Sequence, residues 1–249
     1  MSYWGVAMSH YHPLWEPPNA ADLKSGAAAI ERAGSLNART QRERDYIAAL
    51  QLFYKDADKL DHRTRARLYE QAMNQLSLRY PKDDEAAIFY ALALNERALV
   101  ADEKAYTENK KKAGRILNRV LLREPRHPGV IHYLIHSYDV PQLAYLALPA
   151  SRSYAKIAPS SPHALHMPSH IFTRLGLWQE SIQSNLASAA AAKRIVERTL
   201  PGATSKDHLH ALDYLIYAYL QGAQDEKAKS VLDEANSLKG DQKAFQEAF

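Results

Sequence analysis

The sequence predicts an all-α chain of stacked helical hairpins, an α-solenoid, and three observations carry this prediction. Apolar residues make up 46% of the 249 residues and charged residues 24%, with nine glycines, a composition typical of packed helices. Few stretches alternate apolar and polar residues for long enough to form a sheet. Two histidine pairs, His132/His136 and His166/His170, repeat at an interval of 34 residues, which is the length of one helical-hairpin repeat.

In the first half of the chain, proline and acidic residues delimit the predicted helices. Residues 1–15 are predicted to form the first helix, with Pro13 as its stop signal. Tyr80-Pro81 ends a later helix, and the acidic run 83–85 favours the start of the next one through the helix dipole. The predicted helices are 1–15, 20–33, 40–54, 63–79, 86–100 and 106–124.

The second half of the chain contains the clearest repeats, predicted at 128–161, 162–198 and 207–237. Pro128 and Pro162 stand at first helical positions, and Ser161 precedes Pro162 as a cap. Pro168 lies inside the following helix and is expected to kink it, because proline removes one backbone hydrogen bond. The predicted helices are 128–139, 141–158, 162–175, 178–198, 207–220 and 225–237, and the residues after 237 are predicted to begin another.

We expect residues 1–249 to form a single helical repeat domain. Both ends of the sequence fall inside a helical pattern, so we also expect the chain to be a piece of a longer protein.

The absence of cysteine excludes disulfides and thiolate catalysis. No apolar run approaches the ~18–20 residues of a membrane span. The formal charge is +4, and the basic run 110–123 has no interleaved aromatic residues, which predicts a solvated helix face and no nucleic-acid partner.

The later repeats resemble the tetratricopeptide repeat (TPR). The segment Leu175-Gly-Leu-Trp-Gln-Glu-Ser-Ile182 resembles the central turn of that repeat, and 219–228 shows the turn pattern again. The small residues Ser169, Ser181 and Ser188 fall where the family packs its helices closely. The match is clear over about 128–237 and implies a TPR-like α-solenoid of stacked antiparallel helical hairpins.

Three segments, 3–8, 132–139 and 163–172, are similar to a group of bacterial TPR-containing proteins with no settled activity. The resemblance points to a periplasmic setting, while the sequence itself leaves the compartment open between bacterial periplasm and cytoplasm. In TPR proteins the first helix of each repeat lines the concave groove, where ligands bind. The residues that the resemblance places on this groove are His132, His136, Asp139, His163, His166, His170, His210, Asp213 and Tyr217, with Trp4 and His12 from the first helix.

The histidine pairs predict a metal site in this groove. Eight of the eleven histidines lie between residues 127 and 210, and each pair puts two imidazoles one helical turn apart on one face. Pairs on neighbouring inner helices, about 10 Å apart, could share one ion. Neutral imidazole suits divalent transition metals such as Zn, Fe, Cu or Ni. The predicted metal ligands are His132, His136, His166 and His170.

A carboxylate from Asp139 or Asp213 would act as a further ligand or orient an imidazole. An open coordination position would then permit hydrolytic or redox chemistry. Other interpretations stay open, since repeats copy residues by descent and such histidines also occur as packed residues. Without metal, the groove could bind a small polar ligand or act as general acid and base. A non-catalytic TPR scaffold would bind a peptide or protein partner. Outside the groove, His127 and His208 are predicted to cap helices, and His62 to be solvated.

Overall fold

The computed structural model describes residues 1–199, 201 and 203–238, and within these ranges the chain is helical and contains no strand. The predicted all-α class is confirmed. The helices are α1 (Ser2–Ser9), α2 (Ala20–Ser35), α3 (Gln41–Tyr54), α4 (His62–Arg79), α5 (Asp84–Leu99), α6 (Glu103–Leu121), α7 (Pro128–Tyr138), α8 (Leu148–Ile157), α9 (Pro162–His166), α10 (Pro168–Arg174), α11 (Trp178–Thr199), α12 (Lys206–Gln221) and α13 (Asp225–Ser237), with a 3₁₀ turn at Ala144–Ala147. None of these helices combines the length and the apolar character needed to cross a bilayer. The further helix predicted after residue 237 lies outside the described residues.

The chain divides into two compact units, an N-terminal unit (Met1–Pro125) and a C-terminal unit (Arg126–Phe249). In the N-terminal unit, each helix from α1 to α5 packs against the next one along the chain. In the C-terminal unit, α10 packs against α7, α8 and α11, and α12 packs against α9, α11 and α13. The expectation of one repeat domain over 1–249 stays a prediction, because a repeat array can be divided between any two repeats.

The helix starts follow local capping chemistry. A side chain before the first turn accepts a hydrogen bond from a backbone amide of that turn at Asn19, Thr40, Asp61, Asp102, His127 and Ser161. The predicted cap at His127 is confirmed, since its Nδ1 accepts from the Val130 amide at 3.2 Å. The predicted cap at His208 is wrong: this ring is buried, with its Nε2 3.1 Å from Oε1 of Glu234.

Two predicted helices are shorter in the structure, and one predicted kink is present. Helix α1 ends at Ser9, well before residue 15, and His12 takes a φ of 51°, which a right-handed helix cannot include. The predicted helix 141–158 starts with the 3₁₀ turn and becomes α8 only at Leu148, where Pro149 suits the first turn. Pro168 interrupts its helix as predicted, because α9 ends at His166 and α10 begins at Pro168.

Small buried residues bring α11 close to α9 and α10. Ser169, Ser181 and Ser188 are all fully buried, as the TPR resemblance implies. Their hydroxyls are satisfied locally: Ser188 Oγ donates to the Pro162 carbonyl at 2.8 Å, and the hydroxyl oxygens of Ser181 and Thr173 lie 3.1 Å apart. This close packing places the middle of α11 against the histidines of α9 and α10.

Gly26 of α2 marks a close approach in the N-terminal unit. A Cβ added there would overlap the ring of Tyr54, whose hydroxyl donates to the Ala7 carbonyl at 2.6 Å. We expect Gly26→Ala to lower the free energy of unfolding by about 1–3 kcal/mol through overpacking, despite the better helix propensity of alanine. Urea unfolding measures this loss. Gly5→Ala is the control, since its Cβ would meet nothing within 4 Å, and equal stability of both variants would contradict the close approach.

Candidate metal centre

Six histidines of the C-terminal unit form two groups of three, and the candidate ligand nitrogens within each group lie within 4.8 Å of one another. The first histidine group is His132, His136 and His163. The second histidine group is His166, His170 and His210. In each group, two imidazoles come from one inner-helix stretch and the third comes from the next inner helix. The structure thus divides the four predicted metal ligands between two groups and completes each group with a predicted ligand-binding histidine.

In the second histidine group, the paired imidazoles are both held through Nδ1. His166 Nδ1 lies 2.6 Å from Asn185 Oδ1, and His170 Nδ1 lies 2.9 Å from Asp139 Oδ2. The side-chain nitrogen of Asn185 donates to the Ser181 carbonyl at 2.8 Å, so the amide oxygen is the atom that faces His166. His166 must therefore donate its Nδ1 proton to Asn185.

The carboxylate of Asp139 is also an acceptor. Burial acts to raise the pKa of Asp139, but the hydrogen bond and charge of His170, together with those of Arg174, outweigh it and hold the pKa well below its ordinary value. Arg174 Nε donates to the second oxygen, Oδ1, at 2.8 Å. Because an ionised carboxylate cannot donate, His170 donates its Nδ1 proton to Asp139.

A neutral imidazole that donates from Nδ1 carries a lone pair on Nε2. The Nε2 atoms of His166 and His170 lie 3.0 Å apart, so when both rings are neutral two lone pairs face each other and repel unless a proton or a metal ion lies between them. Burial, aided by the charges of His170 and His210, lowers the pKa of His166 well below its ordinary value, which disfavours a proton there. The spacing is close to the ~3.3 Å that separates two nitrogens on one tetrahedral zinc ion with ~2.0–2.1 Å bonds.

In the first histidine group, the ring nitrogens converge on His132. Its Nε2 lies 3.0 Å from Nε2 of His136 and 3.1 Å from Nε2 of His163. Burial, aided by the charges of His163 and His170, lowers the pKa of His132 to about 3. Burial likewise lowers the pKa of His163. Because both pKa values are lowered, His132 and His163 are neutral near pH 7, the form in which imidazole binds metals.

The second histidine group adjoins a pocket of about 290 Å³, and His170 belongs to both. The pocket is lined by Asp139, His170, Thr173, Arg174, Asp213, Tyr214 and Tyr217. Burial raises the pKa of Tyr214 to about 12, and its hydroxyl lies 3.3 Å from His170 Nδ1. Burial also raises the pKa of Asp213. The predicted ligand-binding residues Asp139, Asp213 and Tyr217 therefore share one pocket beside the second histidine group.

A larger pocket of about 560 Å³ lies in the N-terminal unit and is lined by Arg42, Arg79, Tyr80, Pro81, Lys82 and Asp83. Its arginines are already paired, Arg42 with Asp83 and Arg79 with Asp45. The pocket beside the second histidine group is smaller but lies next to convergent imidazoles. It is the better candidate for chemistry.

Trp4 and His12, the two site residues predicted from the first helix, lie in the N-terminal unit. Trp4 packs edge-on against Tyr46 and Phe89, with ring centroids 5.7 and 5.2 Å apart. His12 Nε2 lies 3.8 Å from Asp22 Oδ2. Their contribution to a ligand groove stays a prediction.

Sequence reasoning missed Asn185, which is fully buried and anchors His166. The signal was present on α11, where Ser181, Asn185 and Ser188 are polar positions on an alanine-rich face. Polar residues on such a closely packed face require buried partners. Here one of those partners is an imidazole.

No protein-family model and no curated protein sequence matches the chain. Among solved structures, MamA (residues 41 to the end) from Desulfovibrio magneticus RS-1 matches with a TM-score of 0.55 and 13% sequence identity. The match covers 81% of this chain and 97% of that chain. MamA is a TPR-like helical solenoid, and at this identity the likeness shows the fold alone. The fold class is therefore that of a TPR-like α-solenoid of helical hairpins.

Proposed function

We propose that this TPR-like protein binds a divalent transition metal ion through His166, His170 and His210. The observation that carries the proposal is the 3.0 Å approach of the Nε2 atoms of His166 and His170, in two rings whose Nδ1 atoms face Asn185 and Asp139. A metal ion between the two Nε2 atoms would be bound by both. Imidazole ligands suit Zn, Fe, Cu or Ni. Asn185 and Asp139 would fix the orientation of the two rings, as oxygen partners of metal-bound histidines commonly do.

Three imidazole ligands leave a coordination position for water, as in zinc enzymes with three histidine ligands. Water bound to zinc becomes a nucleophile near neutral pH, so the site would hydrolyse a small polar ligand held in the adjoining pocket. Arg174 and Asp213 line that pocket and would orient the polar ends of such a ligand. With copper or iron in the same ligands, the chemistry would be redox instead.

The test is the metal content of untagged protein, measured by elemental analysis as isolated and after loading with Zn²⁺ and dialysis. We expect bound metal in the parent. A His166→Ala/His170→Ala variant removes two ligands of the second histidine group, so its metal content per chain should be lower. His10→Ala removes a histidine of the N-terminal unit and should leave the metal content unchanged. If the loaded parent retains no metal, the proposed function is wrong.

Replacing Asp139 by asparagine is expected to weaken zinc binding by about 10- to 100-fold, because the anionic acceptor that orients His170 is lost. Competition with a chromogenic chelator measures the affinity. Glu180→Gln is the matched control, since it breaks the surface ion pair with Arg152 in the same unit without touching a histidine pair. Equal affinities of Asp139→Asn and parent would show that this carboxylate does not support the ion.

A non-catalytic scaffold that binds a peptide or protein partner is the second candidate, and the TPR-like fold favours it. The half-exposed Tyr217 and Arg174 on the open side of the pocket are suited to such contacts. The two candidates differ in one measurement. A pure scaffold retains no zinc, and chelators do not change its affinity for a partner.

A further inference from the structure

We infer that the first histidine group, His132, His136 and His163, is a metal centre of its own, so that the C-terminal unit binds two ions. This inference rests on the proposed function and extends it from one ion to two. It departs from the sequence-based expectation, in which the two histidine pairs share a single ion.

The first argument is that both groups follow the same construction. His132 and His136 repeat as His166 and His170 at the 34-residue interval, and each pair is completed from the next inner helix. His163 is near the start of α9, and His210 is in the second turn of α12. The third ligand thus occupies a comparable place in both groups, although the chain between the last two inner helices is longer. Each group thus has three candidate ligands of its own, which supports one ion for each group.

The second argument is the geometry of the first group. The Nε2 atom of His132 lies 3.0 and 3.1 Å from those of His136 and His163, near the ~3.3 Å expected around one tetrahedral ion. The ring of His132 stacks on Tyr133, with centroids 5.4 Å apart, and this contact limits its rotation. Three nitrogens are therefore already gathered around a point that one ion could occupy, which reduces the reorganisation that binding requires.

Without metal, hydrogen bonds can hold the same three rings. The one lone pair on His132 Nε2 would be shared between hydrogen bonds donated by Nε2–H of His136 and of His163, with the His132 proton on Nδ1. Metal binding then requires His136 and His163 to move their proton from Nε2 to Nδ1, a change of tautomer in which no ring changes its charge. The metal-free arrangement therefore prepares the site for an ion.

The two centres would be close neighbours. The rings of His136 and His170 lie 6.3 Å apart, and those of His163 and His166 lie 6.4 Å apart. Histidine binds a metal ion as a neutral imidazole, so the six ligands would add no charge, while Asp139 supplies a negative charge to the second histidine group through His170. Two divalent ions at this spacing repel each other, so we expect the first histidine group to bind its ion more weakly.

The test counts zinc ions per chain by equilibrium dialysis, with Zn²⁺ alone as the probe. We expect two ions in the parent and one each in His132→Gln/His163→Gln and His170→Ala/His210→Ala. His10→Ala should keep two ions. Far-UV circular dichroism checks that the variants fold. A measurement on the parent needs no variant: in ¹H–¹⁵N spectra of the imidazole rings, saturating Zn²⁺ should shift the Nε2 signals of both groups.

The outcomes separate the inference from the proposed function. If the parent binds one ion that survives His132→Gln/His163→Gln, the second centre is refuted and the proposed function stands. If the parent binds one ion that either variant removes, the two groups share it, and two separate centres are refuted. Should the parent bind no zinc, both ideas fail together.

Discussion

Glu96→Gln is expected to remove the loss of stability with rising pH that the buried Glu96 carboxyl causes in the N-terminal unit between about pH 4.5 and 8. Glu96 lies on α5, is 1% exposed, and accepts a hydrogen bond from the Tyr11 hydroxyl. Burial raises the pKa of its carboxyl from 4.5 to about 8, against the smaller opposing effects of Tyr11 and Arg65. His62 Nε2 lies 3.6 Å from Oε1 of Glu96, and its side chain is only 18% exposed, so the prediction that His62 is solvated is wrong.

The sign of the effect follows from the raised pKa. Between pH 4.5 and 8 the unfolded chain releases the Glu96 proton while the folded chain retains it. This contribution to stability is therefore complete below about pH 4.5 and is lost as the pH rises through 8. At about 1.4 kcal/mol per pKa unit, the loss is on the order of 5 kcal/mol. Glutamine cannot ionise, so the variant should lose this fall in stability with rising pH.

Urea unfolding at several pH values measures the profile. In a Trp178→Phe background, tryptophan fluorescence comes from Trp4 and Trp15 and reports the N-terminal unit alone. Glu31→Gln, at an exposed position on α2, is the control and should keep the parent's pH dependence. Parallel profiles for the parent and Glu96→Gln would contradict the raised pKa.

Asn185→Leu is expected to release His166 and disable the second histidine group. The imidazole would lose the acceptor for its Nδ1 proton, which lies 2.6 Å away in the parent. Its proton could then move to Nε2 and donate to Nε2 of His170, which closes the site with a hydrogen bond. We expect zinc affinity to fall by about 10- to 100-fold and the metal-free chain to lose about 1–3 kcal/mol of stability.

Two measurements check the effect of Asn185→Leu. Ring-nitrogen NMR of the metal-free chains should show His166 protonated on Nδ1 in the parent and on Nε2 in the variant. Chelator competition gives the change in affinity. Gln183→Leu, an exposed position on the same helix, should leave both unchanged. An unaltered affinity in Asn185→Leu would mean that this amide does not select the tautomer that binds metal.

The helices of the C-terminal unit were predictable because the residues that start or interrupt them act locally. Pro128, Ser161-Pro162 and Pro168 act within one turn of where they stand, and the structure keeps all three boundaries. The convergence of histidines was predictable only in part. The 34-residue interval identifies positions on equivalent helices. Whether the next helix supplies a third ligand depends on how far that helix is shifted along its axis.

The partners of the histidines required the packed structure. Asp139 and His170 are 31 residues apart, and His166 and Asn185 are 19 residues apart, with no sequence rule that connects them. Glu96 was missed for a related reason. It lies in the polar triplet Asn95-Glu96-Arg97 near the end of α5, a pattern typical of an exposed helix end, but α5 is buried on nearly all sides.

If the two histidine groups bind metal as proposed, the interruption at Pro168 has a consequence for ion selectivity. His132 and His136 lie on the unbroken helix α7, so their separation is set by one rigid rod. His166 ends α9 and His170 lies in α10, with the break between them. A small hinge motion there would change the distance between the two ligand nitrogens of this pair without disturbing any helix. The pair would therefore accommodate ions of different radius. The pair on α7 should discriminate by size, while the pair that spans the break should be permissive.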